Sequence, residues 1–274
     1  MVDRLLVPTD GSDPATAALE HAATIAATTK ATGHVLHVAE NTDEDDPVAE
    51  QIVDEGMAWF EDAGATVIGE IRSDSPTGEI ADYASEIDAD VIVIGTHGRH
   101  GIQRLVLGSV TEAVVRDGEV PVLVVSPDGE LDVRYPYQTI VVGVDGSEHS
   151  LAAVKRAVSF ASPHATIHVL SVIDVTPVVA DERIKAQFET AAKTIVNDAE
   201  AAARAAGAND VETEVLIGPP AREIRSKAAD VGADLIAVGT HGRRGVDRLL
   251  LGSVAERVLR TAPTPVLTVR SADR

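Results

Sequence analysis

The sequence predicts an α/β protein built from two tandem, doubly wound (Rossmann-like) domains, and two features of the 274-residue chain lead to this prediction. Short and almost entirely apolar runs, such as Val91–Ile94 and Val122–Val125, alternate with longer segments that have helical character. Runs of this kind are typical of parallel strands whose two faces are covered by helices. The second half of the chain then repeats the pattern of the first.

The first half is expected to form five strands and four helices. We expect strands near residues 3–9, 33–39, 65–71, 90–95 and 121–126. Helices are expected near 14–29, 47–63, 77–88 and 109–117. Regular alternation of strand and helix predicts right-handed crossovers between parallel strands.

The second half repeats this order, with strands near 138–144, 165–172, 210–216, 234–239 and 265–270. Pro76–Val125 aligns with Pro220–Val269 without a gap, and over half of the aligned positions are identical. Extra residues in the second half predict a longer helix over Pro177–Ala206 than over Pro47–Ala63. Because the repeated unit is a whole domain, the chain is a duplication and not a solenoid.

The domain boundaries follow from this repeat. We expect domain 1 at residues 1–127, a linker at 128–137 and domain 2 at 138–272. The last strand of each half begins with proline, Pro121 and Pro265, as sheet-edge strands can. Since bare apolar edges invite aggregation, we expect these two edges to pair and make an intramolecular pseudo-dimer.

The composition limits the partners. A net charge of −21 argues against nucleic acid or an anionic membrane, because Lys and Arg drive phosphate binding. No apolar run approaches the length that spans a bilayer, and the absence of cysteine excludes disulfides and thiolate metal sites. We therefore expect a cytoplasmic protein. The acidity favours a halophilic protein that works in high salt, with an acidic mesophilic protein as the alternative.

A long glycine-containing loop follows the fourth strand of each half. Gly95–Ser109 and Gly239–Ser253 share the spacing G-x-x-G, nine residues, G-S. Loops of this length in compact domains are usually functional. Each copy carries a local charge of +2, and the helix start after Gly-Ser presents free N–H groups that suit a phosphate.

Ordinary structural roles remain open for the same residues. Ser109 with Glu112, and Ser253 with Glu256, have the spacing of a capping box, which requires no ligand. Ser12 and Ser147 are expected to cap the first helix of each half. Asp10 and Asp145 either form a turn with their own backbone or accept hydrogen bonds from a ligand. Ligands of doubly wound sheets bind at the carboxyl ends of the strands, where these segments are expected to meet.

The chain resembles the universal stress protein family along essentially its whole length. The resemblance is carried by Pro8-Thr-Asp10 after the first strand, Val35-Leu-His-Val38 in the second, and the doubled glycine pattern, which is that of the ATP-binding branch. It implies a five-stranded parallel sheet of order 3-2-1-4-5 in each domain and dimers formed through the last strands.

The resemblance also implies the nucleotide-binding residues, and none of them is expected to be catalytic or to bind a metal directly. In domain 1 they are Pro8, Thr9, Asp10, Val38, Ile94, Gly95, His97, Gly98, Arg99, Gly108, Ser109, Val110 and Thr111. In domain 2 they are Val144, Asp145, Val172, Val238, Gly239, His241, Gly242, Arg243, Gly252, Ser253 and Val254.

Two departures weaken the resemblance in domain 2: Gly143-Val144 replaces Pro8-Thr9, and Ala255 replaces Thr111. Arg222 also stands where domain 1 has Gly78, and it is expected at the mouth of the same crevice. Domain 1 is therefore the better candidate for ATP, whereas domain 2 would bind more weakly or take another nucleotide.

Three functions follow as hypotheses. The first is a regulatory stress-response protein that binds ATP, ADP or AMP, with Mg²⁺ or Mn²⁺ held through the phosphates. The second is an enzyme, either a slow ATPase or an adenylate-transferring enzyme, although the chain has no G-K-[ST] phosphate loop. The third is a scaffold that binds an unknown protein partner without nucleotide; a homodimer is also possible.

Overall fold

The computed structural model describes residues 2–39, 47–96, 107–127, 133–174, 182–242 and 250–271. The chain divides into two units, Met1–Tyr135 and Pro136–Arg274, which are described in turn as domain 1 and domain 2. Most elements lie within one or two residues of their expected positions.

Domain 1 alternates strand and helix throughout its described residues. Its elements are β1 (Arg4–Pro8), α1 (Asp13–Thr29), β2 (Thr32–Ala39), α2 (Pro47–Asp62), β3 (Thr66–Ser73), α3 (Pro76–Glu86), β4 (Val91–Gly95), α4 (Ser109–Asp117) and β5 (Val122–Val125). The strands lie in the order β3-β2-β1-β4-β5, and all described pairings are parallel. This confirms the predicted fold class and strand order.

Domain 2 repeats this architecture. Its elements are β6 (Tyr137–Gly143), α5 (Glu148–Ser159), β7 (Ala161–Ile173), α6 (Glu182–Ala205), β8 (Asp210–Ile217), α7 (Pro220–Val231), β9 (Leu235–Gly239), α8 (Ser253–Thr261) and β10 (Val266–Val269). The strands lie in the order β8-β7-β6-β9-β10, again with parallel pairings.

Two elements of domain 2 differ in length from their counterparts. Helix α6 has 24 residues and α2 has 16, which confirms the longer helix predicted there. Strand β7 begins at Ala161, four residues before the predicted start. The register between β6 and β7 shifts between Tyr137 and Thr139, so the early residues of β7 form an irregular extension that period-2 patterning does not reveal.

The central strands of each sheet form the core and bring the predicted site residues to one edge. Every residue of β4 is buried, as are the last four residues of β1 and of β6. Because the strands are parallel, the turns after β1 and β6 and the segments after β4 and β9 leave their sheets at the carboxyl edge. Within the described residues, no helix is both long and apolar enough to cross a bilayer.

Candidate functional site

The turn after the first strand has the same geometry in both domains. Asp10 Oδ1 accepts a hydrogen bond from the Ser12 N–H at 3.0 Å, and Asp145 Oδ1 accepts one from the Ser147 N–H at 3.0 Å. Gly11 and Gly146 take positive φ angles of 73° and 80°, which glycine adopts without steric cost. The predicted turn-forming role of both aspartates is therefore present in the structure.

The serine after each turn caps the first helix, as predicted. Ser12 Oγ accepts from the Ala15 N–H at 3.4 Å, and Ser147 Oγ accepts from the Ser150 N–H at 3.2 Å. Ser147 Oγ also donates to Asp145 Oδ1 at 2.6 Å. These bonds fix the turn in front of the carboxyl edge of β6 and orient the Asp145 carboxylate.

The predicted capping boxes at the starts of α4 and α8 are wrong. Gly108 and Gly252 occupy the N-cap positions, and neither helix has a side-chain capping bond. The Gly108 N–H donates to Thr96 O and the Gly252 N–H to Thr240 O, both at 2.8 Å. These tethers hold each glycine at the helix entry, so the following serine becomes the first helical residue.

This arrangement leaves backbone donors available at both helix starts. The first intrahelical bonds run from the Glu112 N–H to Gly108 O and from the Glu256 N–H to Gly252 O. Within the described part of the chain, the three N–H groups between each glycine and glutamate have no acceptor. Ser109 and Ser253 are exposed. Each helix start therefore carries N–H groups without an acceptor in the described part of the chain, at the positive end of the helix dipole.

The segments after the first and fourth strands approach each other within each domain. A Cβ atom on Gly95 would overlap the Pro14 carbonyl in the first turn of α1. A Cβ on Gly239 would lie 2.8 Å from Ser150 N in the first turn of α5, and one on Gly242 would lie 2.8 Å from Asp145 Oδ2. Glycine is required at these positions because the backbone comes so close. In both domains the two predicted segments meet at the carboxyl edge of the sheet.

In domain 2 these segments enclose a cavity of about 460 Å³. All the predicted domain 2 residues that the structure describes line it: Val144, Asp145, Val172, Val238, Gly239, His241, Gly242, Gly252, Ser253 and Val254. Arg243 lies outside the described residues. The cavity thus joins an apolar wall from β7 to the free N–H groups of α8.

Several cavity residues were missed by the sequence analysis. They are Gly143, Ser150, Leu170, Pro220, Ile224, Leu250, Leu251 and Ala255. In the sequence, Leu170 on β7 and Ile224 on α7 have the pattern of ordinary core residues. No signal in the sequence therefore identifies them as cavity residues. Arg222, expected at the mouth of the crevice, is exposed and is not among the lining residues.

Domain 1 places its described candidates in the corresponding positions. Pro8 ends β1, Val38 lies on β2, and Ile94 and Gly95 end β4. Thr9 and Asp10 form the turn, while Gly108, Ser109, Val110 and Thr111 form the start of α4. His97, Gly98 and Arg99 lie outside the described residues.

The Thr111 side chain has a structural partner. Its buried hydroxyl donates to Gly95 O at 2.7 Å, linking α4 to the end of β4. In domain 2 Ala255 stands at this position, so the equivalent Gly239 carbonyl receives no such bond. The exchange of Thr111 for Ala255 between the domains therefore changes how the start of the helix is anchored to the preceding strand.

Two histidines lie together in domain 2. His241 lines the cavity, and its ring centroid is 5.4 Å from that of His149 on α5. Burial lowers the pKa of His241 below its usual 6.5; the positive charge of Arg270 adds to the effect and the Leu250 backbone opposes it. His241 is therefore mostly neutral at pH 7. The described residues contain no cluster of three or more His, Asp or Glu side chains placed to hold a metal ion.

Comparison with known proteins identifies the family. The model of the universal stress protein family matches the chain twice, over residues 1–126 and 136–270. The chain belongs to the universal stress protein family. The two matches confirm the tandem arrangement.

Relatives and solved structures agree with this assignment. A universal stress protein of Methanocaldococcus jannaschii is 39% identical over 145 residues, covering 49% of this chain and 82% of that protein. One from Mycobacterium tuberculosis is 30% identical over 221 residues, covering 77% of this chain and 71% of that protein. The crystal structure of a universal stress protein from Archaeoglobus fulgidus has a TM-score of 0.71 at 23% identity, with 98% of each chain covered. It supports the fold over both domains.

Proposed function

We propose that this universal stress protein binds one adenine nucleotide at the carboxyl edge of each sheet and acts as a nucleotide-dependent regulator. The observation that carries the proposal is the domain 2 cavity of about 460 Å³. Ligand pockets usually combine an apolar lining with a few convergent polar groups. The cavity of domain 2 combines these two features: its lining is largely apolar, and the unpaired N–H groups of α8 are among its polar groups.

Each part of a nucleotide has a suitable surface in that cavity. Val172 and Leu170 offer an apolar wall for a flat base. Asp145, held in its turn by Ser147, offers a carboxylate for ribose hydroxyls. The N–H groups of Ser253, Val254 and Ala255, at the positive end of α8, suit phosphate oxygens.

Domain 1 supports the same proposal through its matching backbone. Its turn after β1 and its tethered entry to α4 have the distances found in domain 2. The remaining phosphate contacts expected in domain 1, from His97, Gly98 and Arg99, are part of the proposal. Mg²⁺ or Mn²⁺ would be held through the phosphates of ATP, because such ions commonly bind through substrate phosphates.

A regulatory role requires the nucleotide to favour one state of the protein. A ligand shifts a conformational equilibrium only by its differential affinity for the two states. The pseudo-dimer made through the last strands stays a prediction, as do a cytoplasmic location, a homodimer, a protein partner and a halophilic origin. Binding assays should use molar salt, because a chain of charge −21 is stabilised by screening.

The test uses one substitution at each helix start. Ser109→Asp and Ser253→Asp each place a carboxylate at an exposed first helical position, where an acidic residue favours the helix dipole. The same charge repels a phosphate, and we expect nucleotide affinity at that site to fall about tenfold or more. Ser109→Asn and Ser253→Asn are the uncharged controls.

Isothermal titration with ATP, ADP and AMP gives the affinity and the stoichiometry. We expect about two nucleotides per chain, the number that two carboxyl-edge sites predict. Each Asp variant should lose one site, and each Asn variant should retain both. If the native chain binds none of the three nucleotides, the proposal fails and a nucleotide-independent scaffold is favoured. Phosphate release from ATP that disappears in the double Asp variant would instead reveal a slow ATPase.

A further inference from the structure

The His149–His241 pair distinguishes the two domains at their candidate sites. His149 occupies the second position of α5, where domain 1 has Pro14 in α1. The two rings are tilted by 47° with centroids 5.4 Å apart. The pair therefore belongs to domain 2, beside the free N–H groups of α8.

The hydrogen bonds of His149 define its protonation. His149 Nδ1 accepts from the Ser271 N–H at 2.8 Å, and a backbone amide can only donate. Nδ1 is therefore unprotonated, and the neutral ring carries its proton on Nε2. This contact also ties the first turn of α5 to the chain just after β10.

His241 lines the cavity and has an unsatisfied ring nitrogen. Its Nδ1 lies 3.0 Å from Thr240 Oγ1, whereas Nε2 is buried and has no hydrogen-bond partner in the described part of the chain. The residue is only 9% exposed. A buried polar atom without a partner is costly to the fold, so an incoming group that bonds to Nε2 would recover that cost.

Several charged groups lie on the elements around the pair. Asp145 is engaged by Ser147 in the turn after β6, and Glu148 precedes His149 on an exposed face of α5. On α8, Glu256 pairs with Arg260 at 2.8 Å. Arg270 at the end of β10 repels a charged His241. In the free protein, burial and the positive charge of Arg270 oppose a proton on His241.

We propose that ligand binding in domain 2 is proton-linked: a phosphate group enters the cavity together with one proton from solvent, which His241 Nε2 takes up. This inference rests on the proposed nucleotide site. The protonated Nε2–H then donates to a phosphate oxygen, in a charge-assisted hydrogen bond stronger than a neutral one. The phosphate brings further negative charge into a cavity that Asp145 already lines.

The sign of the pH dependence follows from this coupling. The bound state holds one more proton than the free state, so affinity in domain 2 rises as pH falls below neutrality. The rise is at most about tenfold per pH unit, the limit for one proton. The affinity stops rising at a pH low enough for His241 to be protonated in the free protein as well.

The test measures proton uptake in the full chain with Ser109→Asp, which leaves domain 2 as the intact site. ATP is titrated in two buffers of different ionisation enthalpy, and the difference in heat gives the protons taken up per nucleotide. The same titration is made with His241→Gln added. The proton equilibria of ATP itself are common to both chains and cancel in the comparison. We expect up to about one proton fewer with His241→Gln.

The outcomes separate this inference from the proposed function. If ATP binds the Ser109→Asp chain with equal proton uptake in the presence and absence of His241→Gln, proton linkage is wrong and nucleotide binding stands. If no ATP binds to domain 2, the proposed function fails there, and proton linkage fails with it.

Discussion

The two domains agree in their backbone at the candidate site and differ in the side chains that support it. The aspartate turns share a distance of 3.0 Å, and the glycine tethers at α4 and α8 share one of 2.8 Å. Yet Thr111 corresponds to Ala255, and Pro14 to His149. The proposed phosphate site consists of N–H groups and would tolerate this variation, because main-chain donors do not depend on side-chain identity.

The cores differ in a second way. At one contact between a helix and a strand, the large side chain lies on the helix in domain 1 and on the strand in domain 2. A Cβ on Gly33 of β2 would overlap the buried Phe60 ring of α2. The same register positions in domain 2 hold Ile167 on β7 and Ala203 on α6, both fully buried. Domain 1 therefore fills this space from its helix and domain 2 from its strand.

The largest expected effect on stability comes from giving Gly33 and Phe60 of domain 1 the residue types found at the matching positions of domain 2. Gly33→Ile should destabilise domain 1 by about 3 kcal/mol or more through overpacking. Phe60→Ala alone should cost about 3–5 kcal/mol through the cavity it leaves. The double variant should be markedly more stable than the sum of the two effects, because the new isoleucine occupies the space vacated by Phe60.

Denaturation by guanidinium measures this coupling, with Trp59 on α2 as the probe. The chain has a single tryptophan, so its fluorescence reports domain 1 alone. Ile167→Gly in domain 2 is the matched control. Far-UV circular dichroism monitors its unfolding, and the denaturation midpoint read from Trp59 fluorescence should not change. Additive effects in the double variant would refute the exchange.

A buried histidine should make domain 1 sensitive to mild acid. Burial lowers the pKa of His21 on α1 from 6.5 to about 4, whereas domain 2 has Arg156 at this position. Since the folded pKa is the lower one, the unfolded chain binds the proton first as pH falls. Stability is full above 6.5 and is lost progressively down to about 4.

This linkage predicts a loss of about 2 kcal/mol between roughly pH 7.5 and 5, from a slope near 1.4 kcal/mol per pH unit. Guanidinium midpoints read from Trp59 fluorescence across that range measure it. His21→Leu should flatten the slope by that amount, even if it changes stability at neutral pH. An equal slope in His21→Leu would show that other groups cause the acid sensitivity.

The next largest effect on stability is expected from the hydroxyl of Thr111. Thr111→Val keeps the side-chain shape and removes the bond to Gly95 O, so we expect domain 1 to lose about 1–2 kcal/mol. The reciprocal Ala255→Thr should be neutral or stabilising by up to about 1 kcal/mol, because it can supply the missing donor to Gly239 O.

Trp59 fluorescence follows the first of these variants and far-UV circular dichroism the second. Ala255→Val separates the effect of the added hydroxyl from that of the added volume. If Thr111→Val is as stable as the native chain, the hydrogen bond does not anchor α4, and the departure in domain 2 has no structural consequence.

These features show how far the sequence could be interpreted alone. The strands were predictable because runs such as Val91–Ile94 are apolar on both faces, which only a covered parallel strand requires. The capping boxes were predicted wrongly because a tertiary bond, from Gly108 N to Thr96 O, decides which residue enters the helix. Local spacing carries no information on that bond.

The histidine pair was beyond sequence reasoning for a similar reason. His149 and His241 are far apart along the chain and meet only because α5 packs beside the ends of β9 and β10. The aspartate turns, by contrast, were predicted correctly, since Asp145 and Ser147 are two residues apart and form their bonds locally.

The smallest expected effect concerns the ion pairs of the outer strands. Arg72 on β3 contacts Glu70 at 3.2 Å, Glu79 at 3.6 Å and Glu86, and lies 4.4 Å above the Tyr83 ring. In domain 2, Leu216 replaces the arginine. There, Lys227 on α7 pairs with Glu214 on β8 at 2.7 Å.

Arg72→Leu should therefore destabilise domain 1 by about 1 kcal/mol in low salt, and Lys227→Met should destabilise domain 2 by about half as much. Both losses should shrink in molar salt, where screening weakens exposed pairs. Guanidinium is itself a salt, so urea denaturation at two KCl concentrations is the appropriate measurement. The part of the Arg72 effect that persists in high salt measures its packing on Tyr83, because that contact excludes water from one face of the guanidinium. Equal effects of the two substitutions at both salt concentrations would mean that the three-carboxylate cluster adds nothing beyond one ordinary ion pair.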